Sequence, residues 1–293
     1  MAESFRTLDE QVPFQWRLDL LQSILAQAHQ SRDDRAIVYA QQQLAYLYLN
    51  QGNTALAQLW SEHALNLAQQ LQSPELIVAT APFLAERLAA RGQIQDALRL
   101  YGIAYTAVKS LRSDLLTVSP ELQFHLRDQV QPIYQRFIEL LLTPDALNPT
   151  QALPQSNLKQ ALAVMDSAQL SELDNFFGDT CLQAHPQDLS SLDTHAAVLY
   201  PILLNDRLTV IAELPGQPLK LYQNQGYSVS TEAVLQQFYS SLYPGYSPQE
   251  HLRLAQQLYQ WFITPLLPDL EVAQIKTLVF VPTGFLQIGR AHV

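Results

Sequence analysis

Leu44-Ala-Tyr-Leu-Tyr48, followed by Gly52, Ala57 and Ala64, decides how the first half of this chain is read, because it recurs. Leu84-Ala-Glu-Arg-Leu88 is followed by Gly92, Ala97 and Ala104, so every feature is displaced by the same forty residues. Apolar residues around these blocks return at helical spacing, and Gln, Leu, Ala and Glu favour helix throughout. Small residues at Ala45 and Ala85 would let one helix approach the next. Gly52 and Gly92 would end it in a backbone conformation closed to most side chains. Ala57, Ala64, Ala97 and Ala104 would give the second helix a small-residue face, with Tyr48 and Leu88 filling the space between.

This scheme resembles the tetratricopeptide repeat. Its period exceeds the usual length of about 34 residues, so either the helices or the turns are longer. An ordinary Ala-rich bundle is the alternative, and the matched positions in both units favour the repeat. Flanking helices are expected at Phe14 to about His29 and from Phe124 to Leu142, where Pro132 is expected to start a helix rather than interrupt one. Such stacks bind peptides or partner domains on one side, but no residue there is singled out by the sequence.

Composition narrows the function classes. The 293 residues are 48% hydrophobic and only 15% charged, with a net charge of −10 and no Lys/Arg cluster. An acidic surface repels nucleic-acid backbone, so a general nucleic-acid binder is not expected. No apolar run reaches the roughly 18 residues of a membrane span. The opening residues carry acids and lack the apolar core of a secretory signal. One cysteine, Cys181, excludes an internal disulfide framework and fits a reducing cytoplasm.

The pattern changes after a Pro- and Asn-rich connector over 142–156. Leu158 to Phe177 reads as one long amphipathic helix, with Met165 as core filler. Cys181 reads as a small buried hydrophobe rather than a nucleophile, and His185 and His195 lack metal-ligand spacing. From Ala196 the period becomes that of strands. Runs at 196–204, 207–214 and 218–222, broken at Asn205-Asp206 and Pro215-Gly-Gln217, predict an antiparallel meander. Pro201 predicts that the first of them is an edge strand or bulged. A helix is expected from Val229 to about Tyr243. A second follows Ser247-Pro-Gln-Glu250, which reads as an N-cap with a capping-box Glu. Ile275 to Val281 then reads as a strand covered on both faces.

Three segments resemble the CHAT family in its cyanobacterial form, the caspase-like domain associated with tetratricopeptide repeats. They are Ala161–Phe177, then Ala197–Ile211 with Leu214–Leu219, and finally Ala255–Leu266 with Ile275–Gly284. The resemblance implies an α+β chain: helical-hairpin repeats over 1–156, a connecting helix and loop over 157–190, and the leading part of a caspase-like α/β domain over 191–287. Complete members are similar to caspases and separases, with a His activating a Cys thiolate. Both groups lie downstream of the matched segment, so the resemblance assigns no catalytic, cofactor or metal residue here. Cys181 matches no catalytic position, His292 falls where the chain departs from the family, and Thr283 replaces the usual Asp of a turn.

The final Ile288-Gly-Arg-Ala-His-Val293 departs from the family altogether. It reads as a translated sequencing adapter (ATC GGA AGA GCA CAC GTC), with a frameshifted or truncated gene as the alternative, so the chain is expected to be a fragment. For the complete protein the resemblance implies a cytoplasmic cysteine endopeptidase whose repeats bind protein partners. The alternative is a non-enzymatic scaffold with a degenerate domain. No small-molecule cofactor is expected in either case.

Overall fold

A computed structural model describes residues 12–115, 120–144, 152–177, 193–204, 207–223, 231–243 and 245–282. The chain divides into two compact units, Met1–Leu140 with Asp174–Thr180, and Leu141–Leu173 with Cys181–Val293. Its class is α+β: a repeat-like run of helices and a small mixed sheet.

Among the described residues of the first unit, five helices come first: α1 (Phe14–Ser31), α2 (Asp34–Asn50), α3 (Thr54–Gln70), α4 (Pro74–Ala90) and α5 (Ile94–Leu115). Their starts fall at 14, 34, 54, 74 and 94, so the forty-residue period contains a twenty-residue beat. The turns stay short and the helices are long; α2, α3 and α4 have 17 residues each.

The turns share one backbone solution. Arg32, Gly52, Gln72 and Gly92 all take positive φ, at 55°, 74°, 50° and 77°. At each, the left-handed residue donates its N–H three residues back and the next residue donates five back. Gly52 bonds to Leu49 O at 2.8 Å and Asn53 to Tyr48 O at 2.9 Å; Gln72 bonds to Gln69 O and Ser73 to Ala68 O at 3.0 and 3.2 Å. This Schellman pattern satisfies carbonyls that a helix end would leave open. The residue after the turn then begins the next helix. The Asp33 and Asn53 side chains accept from the Ala36 and Leu56 N–H groups at 3.0 and 3.1 Å.

The small-residue face behaves as its spacing requires. Ala45, Ala57, Ala64, Ala85, Ala97 and Ala104 are all at 0% exposure. Val38, Ala64, Ala68 and Leu76 form one buried cluster across α2, α3 and α4.

The next helix, α6 (Pro120–Leu141), carries Pro132 inside it. The helix start expected at this proline does not occur: one helix runs through it. Val130 before it and Ile133, Tyr134 and Phe137 after it are all buried on one continuous face. That burial offsets the lost backbone bond, whose cost is about 3 kcal/mol.

In the second unit, α7 (Gln155–Phe177) is a single helix that buries Leu158, Ala161, Val164 and Met165. Three strands follow as the expected meander, β1 (Ala196–Leu204), β2 (Arg207–Glu213) and β3 (Lys220–Gln223). Two helices, α8 (Thr231–Ser240) and α9 (Pro248–Phe262), lead through a 3-10 turn and the short α10 (Leu267–Val272) to β4 (Thr277–Phe280). The sheet order is β3-β2-β1-β4, antiparallel except for the β1–β4 pair.

Pro201 therefore sits in a central strand, against expectation. Its pairing with β2 is unbroken from Val198↔Glu213 to Leu204↔Arg207, so no bulge is present either. The reason is direction. Leu199 O accepts from Val281 N at 2.9 Å, so the Leu199 backbone faces β4. Two residues on, Pro201 faces the same way, and its missing N–H costs the β2 ladder nothing.

β4 also differs from expectation. Its four residues are exposed or half-buried, and Phe280 is 48% exposed. Among the described residues it is the edge of the sheet, not a strand covered on both faces. At α9, Ser247 is the N-cap but makes no side-chain cap bond. The capping box is not formed because Glu250 turns forward to Arg253, accepting at 2.7 and 3.0 Å.

One sheet face packs Ala197, Leu199, Val210 and Ala212 against Leu214, Ile263, Leu266 and Leu270. Leu208 continues that face into a cluster with Val234, Leu254, Leu258 and Trp261.

Candidate functional site

The forty-residue register places matched positions of α2 and α4 side by side on the outward side of the helices. Arg35, Tyr39, Gln43 and Tyr46 fall on that side of α2, and Glu75, Ala79, Phe83 and Glu86 are their counterparts on α4. The pair Arg35–Glu75 forms a salt bridge between the helices at one end. Further along, Tyr46 and Phe83 meet edge to face with ring centroids 4.2 Å apart. Tyr39 and Tyr46 remain 50% and 40% exposed. The Arg87 guanidinium lies over the Phe83 ring, 5.4 Å from its centroid, within the range of an attractive cation–π contact.

A polar network borders this face. Arg136 on α6 donates to Glu86 at 2.8 and 3.3 Å and to Glu139 at 2.5 Å. The Tyr101 hydroxyl on α5 donates to the same Glu86 at 2.5 Å. Burial pushes the Glu86 carboxyl up. The hydrogen bonds from Arg136 and Tyr101 and the Arg136 charge outweigh it and hold Glu86 below the usual carboxylate range. Tyr101 is pushed up, first by burial and then by Glu86. The network pins α4, α5 and α6 together and neutralises Glu86.

Charge balance along the face is uneven as a result. Arg35 has Glu75, and Arg136 has Glu86 and Glu139. Arg87 has no ion pair among the described residues beyond the field of the neighbouring Glu86, and its Nε is buried without a hydrogen-bond partner. A cationic, aromatic spot thus stands on a chain of net charge −10. Elsewhere in this unit an open groove of about 580 Å³ has Ile77, Ile103 and Ala107 in its lining, but its cation, Arg99, is already paired with Asp96 at 2.9 Å.

The second unit holds two polar constellations. Ser241 and His251 meet at 2.9 Å, which has the look of a nucleophile and its base. The Ser241 hydroxyl, however, donates to Phe238 O at 2.6 Å, and His251 stacks on the Phe238 ring. With its proton on a carbonyl, Ser241 accepts from His251, and the pair closes the end of α8 instead of activating an oxygen. Asp269 accepts from Lys220 at 2.6 Å and from the Tyr222 hydroxyl. The Lys220 bond and then the Tyr222 bond hold its carboxyl below the usual range. These contacts tie β3 to α10.

Cys181, His185, Thr283 and His292 lie outside the described residues. His195 precedes β1, where its carbonyl accepts from the Lys276 and Thr277 N–H groups at 2.8 and 3.1 Å, so its visible role is in strand pairing. Among the described residues no group of three or more His, Cys, Asp or Glu side chains could hold a metal ion. None of their helices is long and apolar enough to cross a membrane. The aromatic face was not singled out by the sequence. The signal was present as Tyr39, Tyr46 and Phe83 on otherwise polar positions, but it becomes meaningful only once the forty-residue register sets α2 beside α4.

The chain matches no protein-family model and no curated protein.

Proposed function

We propose that the first unit is a tetratricopeptide-like array that binds a segment of a partner protein on the outward face of α2 and α4. The observation that carries this reading is the exposed Tyr46 ring against half-buried Phe83, flanked by Tyr39 and by a guanidinium with no ion pair among the described residues. Aromatic rings and arginine are the side chains that most often anchor protein interfaces: the rings bury large area with few torsions to freeze, and arginine adds a planar fork of donors. The rest of the outward face is neutralised by its own ion pairs, which leaves this spot as the place where a partner gains most.

The second unit, on this proposal, is the leading part of a CHAT domain, and the complete protein is a cytoplasmic caspase-like cysteine endopeptidase whose repeats recruit its substrate or regulator. Support comes from the three resembling segments and from a meander followed, through two helices, by a strand parallel to β1. The catalytic His and Cys would stand beyond the resembling segments.

Selection of a displayed random-peptide library on this chain tests the binding reading. Enriched peptides are expected to lose at least tenfold in affinity on Tyr46→Ala or Tyr39→Ala. Failure to enrich any peptide, or binding that survives both substitutions, would overturn it. For the catalytic half, a complete protein of this kind is expected to carry a His-Gly and then a Cys, each after an apolar strand, outside the resembling segments. The chain as it stands is expected to show no thiol-dependent peptidase activity, and cleavage abolished by Cys181→Ser would refute that.

A further inference from the structure

We infer that the segment bound on the α2–α4 face is acidic and carries an apolar or aromatic side chain within about three residues of its carboxylate. This inference deepens the binding reading above and rests on it. Three observations lead to it. First, among the described residues Arg87 makes no ion pair on this face and feels only the field of the already paired Glu86, whereas Arg35 and Arg136 are both paired. Second, its guanidinium lies over the Phe83 ring, 5.4 Å from the centroid, with its Nε buried, so part of the freedom of this side chain is already spent before it meets a carboxylate. Third, Phe83 is one helical turn from Arg87 and meets Tyr46 edge to face, and Tyr46, 40% exposed, leaves aromatic surface for an incoming apolar group.

The scale of the site fixes the spacing. Phe83 touches both Tyr46 and Arg87, with separations of 4.2 and 5.4 Å. An extended peptide advances about 3.3–3.6 Å per residue. A side chain over the ring pair and a carboxylate at Arg87 are therefore one to three residues apart. A basic segment is disfavoured twice, since it would meet Arg87 at the site while leaving no free acid to receive it: Glu75 and Glu86 are both engaged.

The test uses the whole chain and three fluorescent peptides blocked at both ends. One reads Asp-Glu-Phe-Asp-Glu, the second has every acid replaced by its amide, and the third has Ser in place of Phe. Binding is followed by fluorescence anisotropy. The acidic aromatic peptide is expected to bind at least tenfold more tightly than either of the others, and more weakly as salt is raised. Arg87→Ala is expected to remove the advantage of acid over amide. Tyr46→Ala is expected to remove the advantage of Phe over Ser, and Arg87→Lys to restore only part of the loss because it keeps the charge without the flat fork. Circular dichroism of each variant checks that the helices persist. If the amide peptide binds as tightly as the acidic one, or if Arg87→Ala changes neither, the acid preference is wrong while the aromatic binding face stands. If the acidic aromatic peptide does not bind at all, this inference falls. The display selection separately decides whether the face binds any segment.

Discussion

The two units of this chain are held together by different logics. In the first, α1 to α5 begin every twenty residues, and each turn repeats the same two backbone bonds. The helices that pack most extensively are sequence neighbours, α2 with α3 and α4 with α5. In the second, β1 pairs with β4, so Ala196 meets Thr277 and Leu199 meets Phe280 across some eighty residues of chain. A solenoid of neighbours is stable as a sum of local terms, whereas a sheet with long-range pairing is stable only as a whole. Damage should therefore stay local in the first unit and spread in the second.

The largest test of this difference is a matched pair of severe changes. Leu199, at 0% exposure in the central strand β1, belongs to the main core of the second unit. Leu199→Ala is expected to cost about 2–5 kcal/mol through lost burial and the cavity left behind. That loss should appear as early melting of the second unit with the helical signal of the first retained. By contrast, deleting residues 34–73 removes two whole helices and joins Asp33 to Pro74 in the same phase of the twenty-residue beat. The shortened array is expected to keep its helicity per residue and to melt at lower temperature, as fewer interfaces remain. Collapse of helicity on this deletion would break the comparison.

A finer test lies in the turns. Gly52 and Arg32 occupy equivalent left-handed positions, at φ of 74° and 55°. Gly52→Ala is expected to cost about 1–2 kcal/mol, because a Cβ is strained there even though open space surrounds it. Arg32→Gly and Gln72→Gly are expected to do the reverse and stabilise by roughly 1 kcal/mol or less, relieving the same strain. Thermal melts of the three single variants would show whether one turn geometry governs the array.

These turns also show where the sequence was legible and where it was not. Gly52 and Gly92 announced left-handed turns because glycine is the residue that takes them freely. Arg32 and Gln72 hold the same conformation without any such mark, so a forty-residue period was visible and the twenty-residue beat was not. The buried alanines were readable because a helix pair needs small residues at a fixed spacing, and the meander because its turns and apolar runs are local. Pro201 misled for a non-local reason: whether its missing N–H matters depends on which neighbour the backbone faces, and that is set by Val281, eighty residues away. Pro132 misled because the cost of a helical proline is local, while the apolar face that outweighs it is read only from tertiary burial. The aromatic face of α2 and α4 needed the register of two helices before its residues became one site. No sequence signal placed Glu86 with Arg136, because that contact spans fifty residues.

The smallest expected effect compares two carboxylates, one in each unit. Glu86 and Asp269 have similar side-chain exposure, 33% and 36%, and both are held below the usual carboxylate range by hydrogen-bonded cations. A carboxyl whose pKa is lower in the folded than in the unfolded chain binds fewer protons when folded. Its contribution is complete above the ordinary carboxylate value of about 4.3 and is lost as pH falls through the folded value. Solvent screening keeps each contribution to about 1 kcal/mol or less. Glu86→Gln and Asp269→Asn should therefore each weaken the protein slightly at pH 7 and flatten the loss of stability below pH of about 4.3. The two units should differ in what that loss looks like. Glu86 pins α4 to α5 and α6, so its removal should loosen amide protons in those helices alone. Asp269 ties β3 to α10 across the sheet's packed face, so Asp269→Asn should raise exchange throughout β1, β2 and β3 together. Hydrogen exchange that rises only at β3 and α10 would mean that the second unit is no more cooperative than the array.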